Sequence, residues 1–322
     1  MCRLTGMECR VLGVLKKSVA SKGRIGIAFA ADQIALAVVR REGGMPVLDR
    51  CELLPFNPAG SPEATAATFR AANLPRLPVS TVLRPDDYQL AMVEAPDVPP
   101  AELRAAMRWR LKDAIDFNVE EAVIDVFDVP AQNRGGQGRM MYAVAARKAV
   151  VDRHASALAT LPTFDVVDVP ELCLRNLASL LPAAANGVAL LYLGETMATI
   201  VLVRGSTFYF ARQMDLQATL RIASGSLPSG RLDSASVVLE LQRSLDYYER
   251  HFDQPPITRI AVAPSSRQAA QLATDLGGET GLEVTTLELD SIVKTPLTLE
   301  DTVQASCMLA IGAALRDEHR SL

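Results

Sequence analysis

Two distant stretches of the chain open in the same way, and this repetition limits the possible folds more than any other feature. Residues 24–55 and 187–216 each read as three short apolar strands joined by tight turns. Apolar β-branched runs separated by a few turn-forming residues indicate antiparallel hairpins. The same order recurs about 165 residues further along the chain. It therefore predicts two related α/β lobes that arose by duplication.

The first of these hairpins spans residues 24–42. Its apolar residues alternate up to Phe29, the segment Ala30–Gln33 interrupts them, and a second apolar run follows. In several nucleotide-binding folds the turn of such a hairpin contacts phosphate. The turn here contains two alanines and an aspartate but no glycine, so its backbone is poorly suited to approach a phosphate group.

Composition and charge exclude several classes of protein. The 322 residues are 49% hydrophobic and 22% charged, which is typical of a globular protein. The formal net charge is −4, and acidic and basic residues alternate along the chain. Nucleic acid is therefore excluded as a main partner, because no basic stripe is present to neutralise phosphates.

Cysteine and histidine give little support to a metal site. The five cysteines are scattered without a CxxC pair, which predicts unreactive thiols in a reducing compartment. The three histidines lie in charged, helical contexts and are expected to be exposed: His154, His251 and His319. No metal-binding or catalytic residue is predicted from either type.

No run of residues approaches the eighteen or so apolar residues that a spanning helix needs. Residues 1–22 are predicted to be a flexible basic tail, and a short amphipathic turn that touches a membrane is the alternative. The sequence therefore predicts a cytosolic protein, with a peripheral position at a membrane as the alternative.

The order of predicted elements divides the rest of the chain. Residues 23–96 and 161–183 are assigned to the first lobe, with 301–322 as a candidate to return and pack on it. Residues 97–160, a helix–strand–strand–helix block, form an inserted small subdomain, and 187–300 form the second lobe. A Gly-rich loop at 133–138 connects two strands and is therefore predicted to be a hairpin loop rather than a phosphate site.

The only tryptophan, Trp109, lies on an amphipathic helix of the inserted subdomain. Two interpretations remain open for it. It packs in the core, which is the favoured interpretation, or it anchors a partner peptide.

Four segments carry a resemblance to a known family. They are VLGVLKK before the first hairpin, ELRAAMRWRLKDAIDFNVEEAVIDV, ELQRSLDYYER and the terminal AIGAALR. The chain resembles the PilM family of type IV pilus biogenesis proteins and, more closely, its divergent relative MshI. The resemblance implies a two-lobed actin-like ATPase fold, which is ribonuclease H-like and α/β, with an inserted subdomain of the FtsA/PilM type.

The resemblance also shows which nucleotide-binding residues are missing from the first loop. The family pattern G-I-D-I-G-S-S-S-I-K aligns with Gly26 to Ala35. Its aspartate, second glycine and lysine become Ala28, Ala30 and Ala35. Asp32 remains nearby and is interpreted as a turn former.

The other two loops depart from the family pattern as well. The second keeps Gly194 but has Tyr192 in place of its aspartate. The Gly-Gly of the third becomes Ala263-Pro264-Ser265-Ser266, in which Pro264 removes a backbone donor and fixes φ. Glu240 and Arg243 match the helix near the adenine, or form a structural ion pair. The residues that still match the family's nucleotide-binding positions are thus Gly26, Gly194, Glu240 and Arg243, and they form a degenerate site. ATP with Mg²⁺ is disfavoured, and the chain is predicted to be a pseudo-ATPase.

The resemblance implies a non-catalytic scaffold of an MSHA-type pilus assembly platform, located in the cytoplasm and peripheral to the inner membrane through partner binding. Such a scaffold docks the cytoplasmic N-terminus of a bitopic PilN-like (MshJ-type) inner-membrane protein, in a groove on the first lobe near the inserted subdomain. Two enzymatic or secretory alternatives are an ATP-binding actin-like ATPase of pilus assembly and a component of a type II secretion platform. A filament-forming actin homologue is a further alternative.

Overall fold

The computed structural model describes residues 10–11, 23–130, 139–161, 163–215 and 234–317. In chain order, its strands are β1 (Arg10–Val11), β2 (Gly23–Phe29), β3 (Gln33–Glu42), β4 (Met45–Pro55), β5 (Val79–Val82), β6 (Tyr88–Glu94), β7 (Ala122–Asp128), β8 (Met140–Arg147), β9 (Phe164–Asp168), β10 (Val188–Leu193), β11 (Met197–Arg204), β12 (Thr207–Asp215), β13 (Arg259–Ala263) and β14 (Glu283–Thr286). Its helices are α1 (Pro62–Ala72), α2 (Leu103–Leu111), α3 (Lys148–Ala157), α4 (Pro170–Ala178), α5 (Ser234–His251), α6 (Arg267–Thr280) and α7 (Asp301–Ala314). The strands form sheets of six, five and three.

The six-stranded sheet is built on the predicted hairpin. β2 pairs antiparallel with β3 along its whole length. The backbone N–H of Ala30 donates to the carbonyl oxygen of Gln33 at 2.9 Å and closes a two-residue turn that contains Asp32. β4 continues the meander, and β5 and then β9 add parallel strands on the other side of β2. The hairpin predicted from alternating apolar residues is confirmed.

The structure differs from the prediction at one point in the range 1–22. Arg10 and Val11, placed within a flexible tail by the sequence, pair in parallel with Val166 and Val167 of β9. This pairing satisfies backbone groups that β9 would otherwise leave open at the edge of the sheet. The rest of the predicted tail, 1–9 and 12–22, lies outside the described residues.

The five-stranded sheet repeats the arrangement of the six-stranded sheet. β10, β11 and β12 form an antiparallel meander. β13 pairs in parallel with β10, and β14 in parallel with β13. The buried apolar residues of the two sheets belong to one continuous cluster, so the two units share a core. This is the architecture that the repeated opening of the sequence predicts.

The three-stranded sheet contains a strand that the sequence assigned elsewhere. β6, placed in the first lobe with 23–96, pairs antiparallel with β8, in the spatial order β6-β8-β7. β6 pairs with β8 because β8 is a buried strand. Met141 to Ala146 are all buried, so their backbone groups need hydrogen-bond partners on both sides of the strand. α2 covers this sheet with Leu103, Met107 and Leu111.

The last described helix, α7, returns to pack on the six-stranded sheet and on α4, as the sequence suggested for 301–322. Gly26 of β2 permits the first contact, because a Cβ there would lie 1.8 Å from the carbonyl oxygen of Ala310. Gly312 permits the second, because its Cβ would lie 2.4 Å from the carbonyl oxygen of Cys173. Among the residues that the structure describes, no helix has the length and apolar character needed to cross a bilayer.

Candidate functional site

A cavity of about 640 Å³ lies between the three-stranded sheet and the outer strand of the five-stranded sheet. Its walls come from the turn before β6, β6 itself, the segment after α2, the end of β8, the start of α4, and β12. The lining residues are Pro85, Asp86, Asp87, Tyr88, Gln89, Leu90, Ala91, Ala114, Asp116, Phe117, Arg147, Glu171, Ala211 and Gln213. Elements from three parts of the fold therefore converge on one concave site.

Three polar side chains join these elements within the wall of the cavity. The hydroxyl of Tyr88 donates to Oε2 of Glu171 at 2.5 Å, and Nε2 of Gln213 donates to Oε1 at 2.8 Å. Nε2 of Gln213 also lies 3.1 Å from the Tyr88 hydroxyl. Glu171 is buried at the first turn of α4, where the helix dipole favours negative charge. The network connects β6, α4 and β12.

Burial sets the protonation behaviour of this network. It raises the pKa of the Glu171 carboxyl, although the hydrogen bonds from Tyr88 and Gln213 act in the opposite direction. It also raises the pKa of the Tyr88 hydroxyl well above its usual value, and the nearby carboxyl of Glu171 adds to that rise. The hydroxyl of Tyr88 is therefore a fixed donor at neutral pH.

The solvent-exposed part of the cavity lining, called the mouth below, carries an excess of acidic side chains. Asp86, Asp87 and Asp116 line it, against a single cation, Arg147. The guanidinium of Arg147 lies 3.5 Å from Asp116 and 4.3 Å from the ring centroid of Phe117. Both members of that ion pair are about half exposed or more, so water screens their attraction. A ligand with basic groups would be favoured at this mouth.

Two sheet edges meet at the cavity. β6 is an outer strand of the three-stranded sheet, and β12 is an outer strand of the five-stranded sheet. Leu90 of β6 and Ala211 of β12 both line the cavity. An outer strand leaves backbone N–H and C=O groups unpaired on one side, and an extended peptide can bind them as an added strand. The shape and chemistry of the site therefore suit an extended peptide.

The residues aligned with the first nucleotide loop lie elsewhere, around β2 and β3. Gly26 is buried beneath α7, where close packing against Ala310 explains the glycine. Ala28 packs against the cluster that contains Cys173, and Ala35 is buried. Asp32 is exposed in the turn, as expected for a turn former.

The residues aligned with the second and third loops lie side by side. Tyr192 of β10 pairs directly with Ala263 of β13. The N–H of Gly194 donates to the carbonyl oxygen of Met197 at 3.0 Å, and a Cβ on Gly194 would lie 2.8 Å from that oxygen. The turn therefore accounts for this glycine.

Local contacts also account for the polar residues that follow Ala263. Pro264 is half-buried, and the hydroxyl of Ser265 donates to the carboxylate of Glu288 at 2.7 Å. Ser266 caps α6, because its hydroxyl accepts from the N–H of Ala269. Both serine side chains are thus engaged within the five-stranded unit.

Glu240 and Arg243 of α5 form the ion pair that their spacing predicts. Nη1 of Arg243 lies 2.6 Å from Oε1 of Glu240. Nη1 of Arg212, from β12, binds the other oxygen of Glu240 at 2.9 Å, and its Nε donates to Ser244 at 3.1 Å. Both carboxylate oxygens of Glu240 are therefore occupied, and the group fixes α5 to β12.

Sequence reasoning missed one buried ion pair near the end of the chain. Nη1 of Arg316 lies 2.5 Å from Oδ2 of Asp168, and the two side chains are 4% and 0% exposed. The backbone N–H of Val169 donates to Oδ1 of Asp168 at 2.9 Å. A signal was present, since Asp165, Asp168 and Glu171 are the charged residues in the otherwise apolar stretch 164–174.

Two predictions about exposure are wrong. Trp109, expected in the core, is 79% exposed. It lies two residues after Met107, which places it on the side of α2 that faces away from the sheet. His154, expected to be exposed, is buried with Val150 on one face of α3. Its Nδ1 lies 3.1 Å from the hydroxyl of Thr81, and burial lowers its pKa to about 4.

Within the described ranges, no group of three or more histidine, cysteine or acidic side chains is arranged to hold a metal ion. The described cysteines are free thiols: Cys51, Cys173 and Cys307. His251 of α5 stacks on Tyr247 at 4.1 Å between ring centroids, and His319 lies outside the described residues.

Comparison with solved structures identifies the fold class. A chain of the PilM-PilN type IV pilus biogenesis complex matches with a TM-score of 0.67 and 20% sequence identity, over 91% of this chain and 98% of that one. No protein-family model matches the sequence, and no curated protein matches it. The chain shares the fold of that PilM-PilN chain, and the two-lobed actin-like ATPase fold predicted from its sequence is confirmed.

Two further structures are less similar. A Bacteroides thetaiotaomicron protein with an actin-like ATPase fold and unknown function gives a TM-score of 0.49 at 8% identity, over 92% of this chain and 99% of that one. The cytoplasmic domain of EpsL, an inner-membrane component of the type II secretion system of Vibrio cholerae, gives 0.46 at 13% identity, over 88% and 93%.

Proposed function

We propose that this protein is a non-catalytic cytoplasmic scaffold of a type IV pilus assembly platform of the MSHA type. It is held at the inner membrane because it docks the cytoplasmic N-terminus of a PilN-like, MshJ-type membrane protein. The observation that supports this proposal is the cavity between the outer strands β6 and β12. The likeness in fold to a chain of the PilM-PilN complex is consistent with it.

The charge of the cavity fits a peptide of this origin. Cytoplasmic segments next to a membrane span are enriched in lysine and arginine. Asp86, Asp87 and Asp116 at the mouth complement such basic residues. The outer edge of β6 and the apolar side chain of Leu90 supply the remaining contacts of an added strand.

The proposal that the chain is not an enzyme rests on the altered loops. Hydrolysis of ATP needs carboxylates that organise Mg²⁺ and glycines that let the backbone approach phosphate. Ala28 and Tyr192 occupy the positions of the two aspartates. The buried Asp168 is engaged by Arg316. Calorimetric titration with Mg-ATP is expected to give no heat of binding, and micromolar affinity would overturn this part of the proposal.

The docking proposal is tested with a synthetic peptide that carries the cytoplasmic N-terminus of the PilN-like protein from the same organism. Its fluorescence anisotropy is measured as the full chain is added. We expect saturable binding, which a double variant, Asp86→Lys with Asp116→Lys, weakens by about tenfold or more, equivalent to about 1.4 kcal/mol. Both positions are exposed and outside regular strands, so the variant should fold.

A matched control separates local charge from net charge. Glu283→Lys with Asp290→Lys makes the same change in net charge at two exposed acidic residues, one on β14 and one after it, at the opposite edge of the five-stranded sheet from β12. It should bind the peptide as the unmodified chain does. Failure of the folded protein to bind, or equal weakening by the control variant, would refute the assignment of the cavity.

A further inference from the structure

Two thiols that are far apart in the sequence meet between β4 and α7. Cys51 lies on the side of the sheet that α7 covers, because it is in register with Ala37, and Ala37 is in register with Gly26, which α7 contacts. The sulfur of Cys307 also lies 3.6 Å from the carbonyl oxygen of Glu52, the residue after Cys51. Cys307 is fully buried, whereas Cys51 is partly exposed. One member of the pair can therefore be reached from solvent, and the other cannot.

The framework around this pair is rigid. α7 lies directly on β2, where the missing side chain of Gly26 brings the carbonyl oxygen of Ala310 against the strand. β4 is held in register beside β3, with Cys51 opposite Ala37. Backbone packing thus fixes both thiols at the contact between β4 and α7.

The two thiols differ in acidity in the sense that sequential oxidation requires. The neighbouring thiol of Cys307 lowers the pKa of Cys51, against the opposing effects of burial and of Glu52. The thiol of Cys51, together with burial, raises the pKa of Cys307. Cys51 is therefore the thiol that reaches the thiolate form more readily, and the thiolate is the species that reacts with oxidants.

We propose that Cys51 and Cys307 form a redox modification site, at which a hydroperoxide converts the dithiol into a disulfide that joins α7 to β4. The thiolate of Cys51 attacks one peroxide oxygen, the O–O bond breaks, and Cys51 becomes a sulfenic acid while one water is released. The thiol of Cys307 then attacks the sulfur of Cys51, the S–O bond breaks, and the proton leaves with hydroxide as a second water. One hydrogen peroxide is thus reduced to two waters for each disulfide formed.

The third described thiol, Cys173, does not take part. It is buried on α4, where its carbonyl group contacts Gly312 on another side of α7, and burial raises its pKa well above the usual value. It therefore provides a matched control within the same chain. The new bond would close a long loop between β4 and α7, which restricts the unfolded chain and stabilises the folded one.

The test uses the full chain, reduced and then exposed to hydrogen peroxide. Remaining thiols are alkylated, and the digest is analysed by mass spectrometry. We expect a cross-linked peptide pair that contains Cys51 and Cys307, a loss of two hydrogen atoms from the intact mass, and reversal by dithiothreitol. The midpoint of thermal unfolding should rise on oxidation and return on reduction.

Three variants decide the assignment. Cys51→Ser should abolish the cross-link, and Cys173→Ser should leave it unchanged. Cys307→Ala should instead leave a sulfenic acid on Cys51 that dimedone captures; circular dichroism checks that this core variant is folded. Oxidation of Cys51 without a cross-link to Cys307 in the unmodified chain, or loss of the cross-link in Cys173→Ser, would overturn the proposal.

Discussion

The hydroxyl of Tyr88 donates to the buried carboxyl of Glu171 at 2.5 Å. Replacement of Tyr88 by Phe removes this donor and leaves Oε2 of Glu171 without it in a buried position. We expect a loss of about 1–3 kcal/mol in the free energy of unfolding, measured by urea denaturation. Tyr247→Phe is the control, since that hydroxyl contacts only the sulfur of Met92, a weak acceptor, at 3.4 Å. Equal losses in the two variants would argue against a special role for the Glu171 contact.

The buried His154 should make the fold sensitive to mild acid. Burial lowers its pKa to about 4, whereas the unfolded chain takes up the proton near 6.5. The unfolded state thus binds more protons between these values, and stability falls as the pH falls from 6.5 to 4. The shift in the pKa of His154 corresponds to a loss of about 3 kcal/mol in the free energy of unfolding over this pH range. Denaturant titrations of the unmodified chain and of His154→Gln measure the free energy of unfolding at pH 6.5 and at pH 4. The unmodified chain should lose about 3 kcal/mol more than the variant between these two values. An equal loss in both proteins would contradict the lowered pKa of His154.

The buried Asp125 should give the free energy of unfolding the opposite dependence on pH. Burial raises its pKa to about 6, although the guanidinium of Arg104 acts against the rise. The folded state binds more protons between 3.8 and 6, so this group favours folding at low pH and loses that contribution as the pH rises through 6. Relative to Asp125→Asn, the unmodified chain should be less stable at pH 7 than at pH 3.5 by about 3 kcal/mol. Denaturation at both pH values measures the change, and an unchanged difference would exclude the raised pKa.

Two glycines offer a matched test of the contact between β2 and α7. In Gly26→Ala the new Cβ would lie 1.8 Å from the carbonyl oxygen of Ala310, so strand and helix must separate. We expect a loss of about 3 kcal/mol or more in the free energy of unfolding. Gly278→Ala, on α6, meets no atom within 4 Å and should stabilise the protein by up to about 1 kcal/mol. Chemical denaturation of both variants would show whether the signs differ as expected.

The single tryptophan is a direct reporter of the exposed face of α2. With Trp109 79% exposed, its fluorescence emission should resemble that of tryptophan in water, and acrylamide should quench it efficiently. Trp109→Ala should change the unfolding free energy by no more than about 0.5 kcal/mol. A blue-shifted, protected emission in the isolated chain would mean that another molecule, such as a second copy of the chain, covers this residue.

Apolar runs bounded by turn residues were sufficient to predict the strands of both large sheets except β1, because each run is marked within its own segment of the sequence. They could not predict the pairing of β6, which depends on the need of the buried strand β8 for a second neighbour. The Tyr88–Glu171–Gln213 network was also beyond reach, since its members come from three distant segments that meet only in the folded chain. The positions of Trp109 and His154 were different, because helical spacing from Met107 and from Val150 already indicated which side of each helix they occupy.

The return of α7 to the six-stranded sheet determines when that sheet can be completed during synthesis. β2 and β3 leave the ribosome early, but the helix that covers them follows only after the whole of the five-stranded unit. Until then, the groove at Gly26 that Ala310 later fills stays open to solvent or to a chaperone. The five-stranded unit, whose strands and helices are consecutive from β10 to β14, can fold first and serve as a template. A nascent chain that stops before α7 would therefore expose an apolar sheet and be a target for proteolysis.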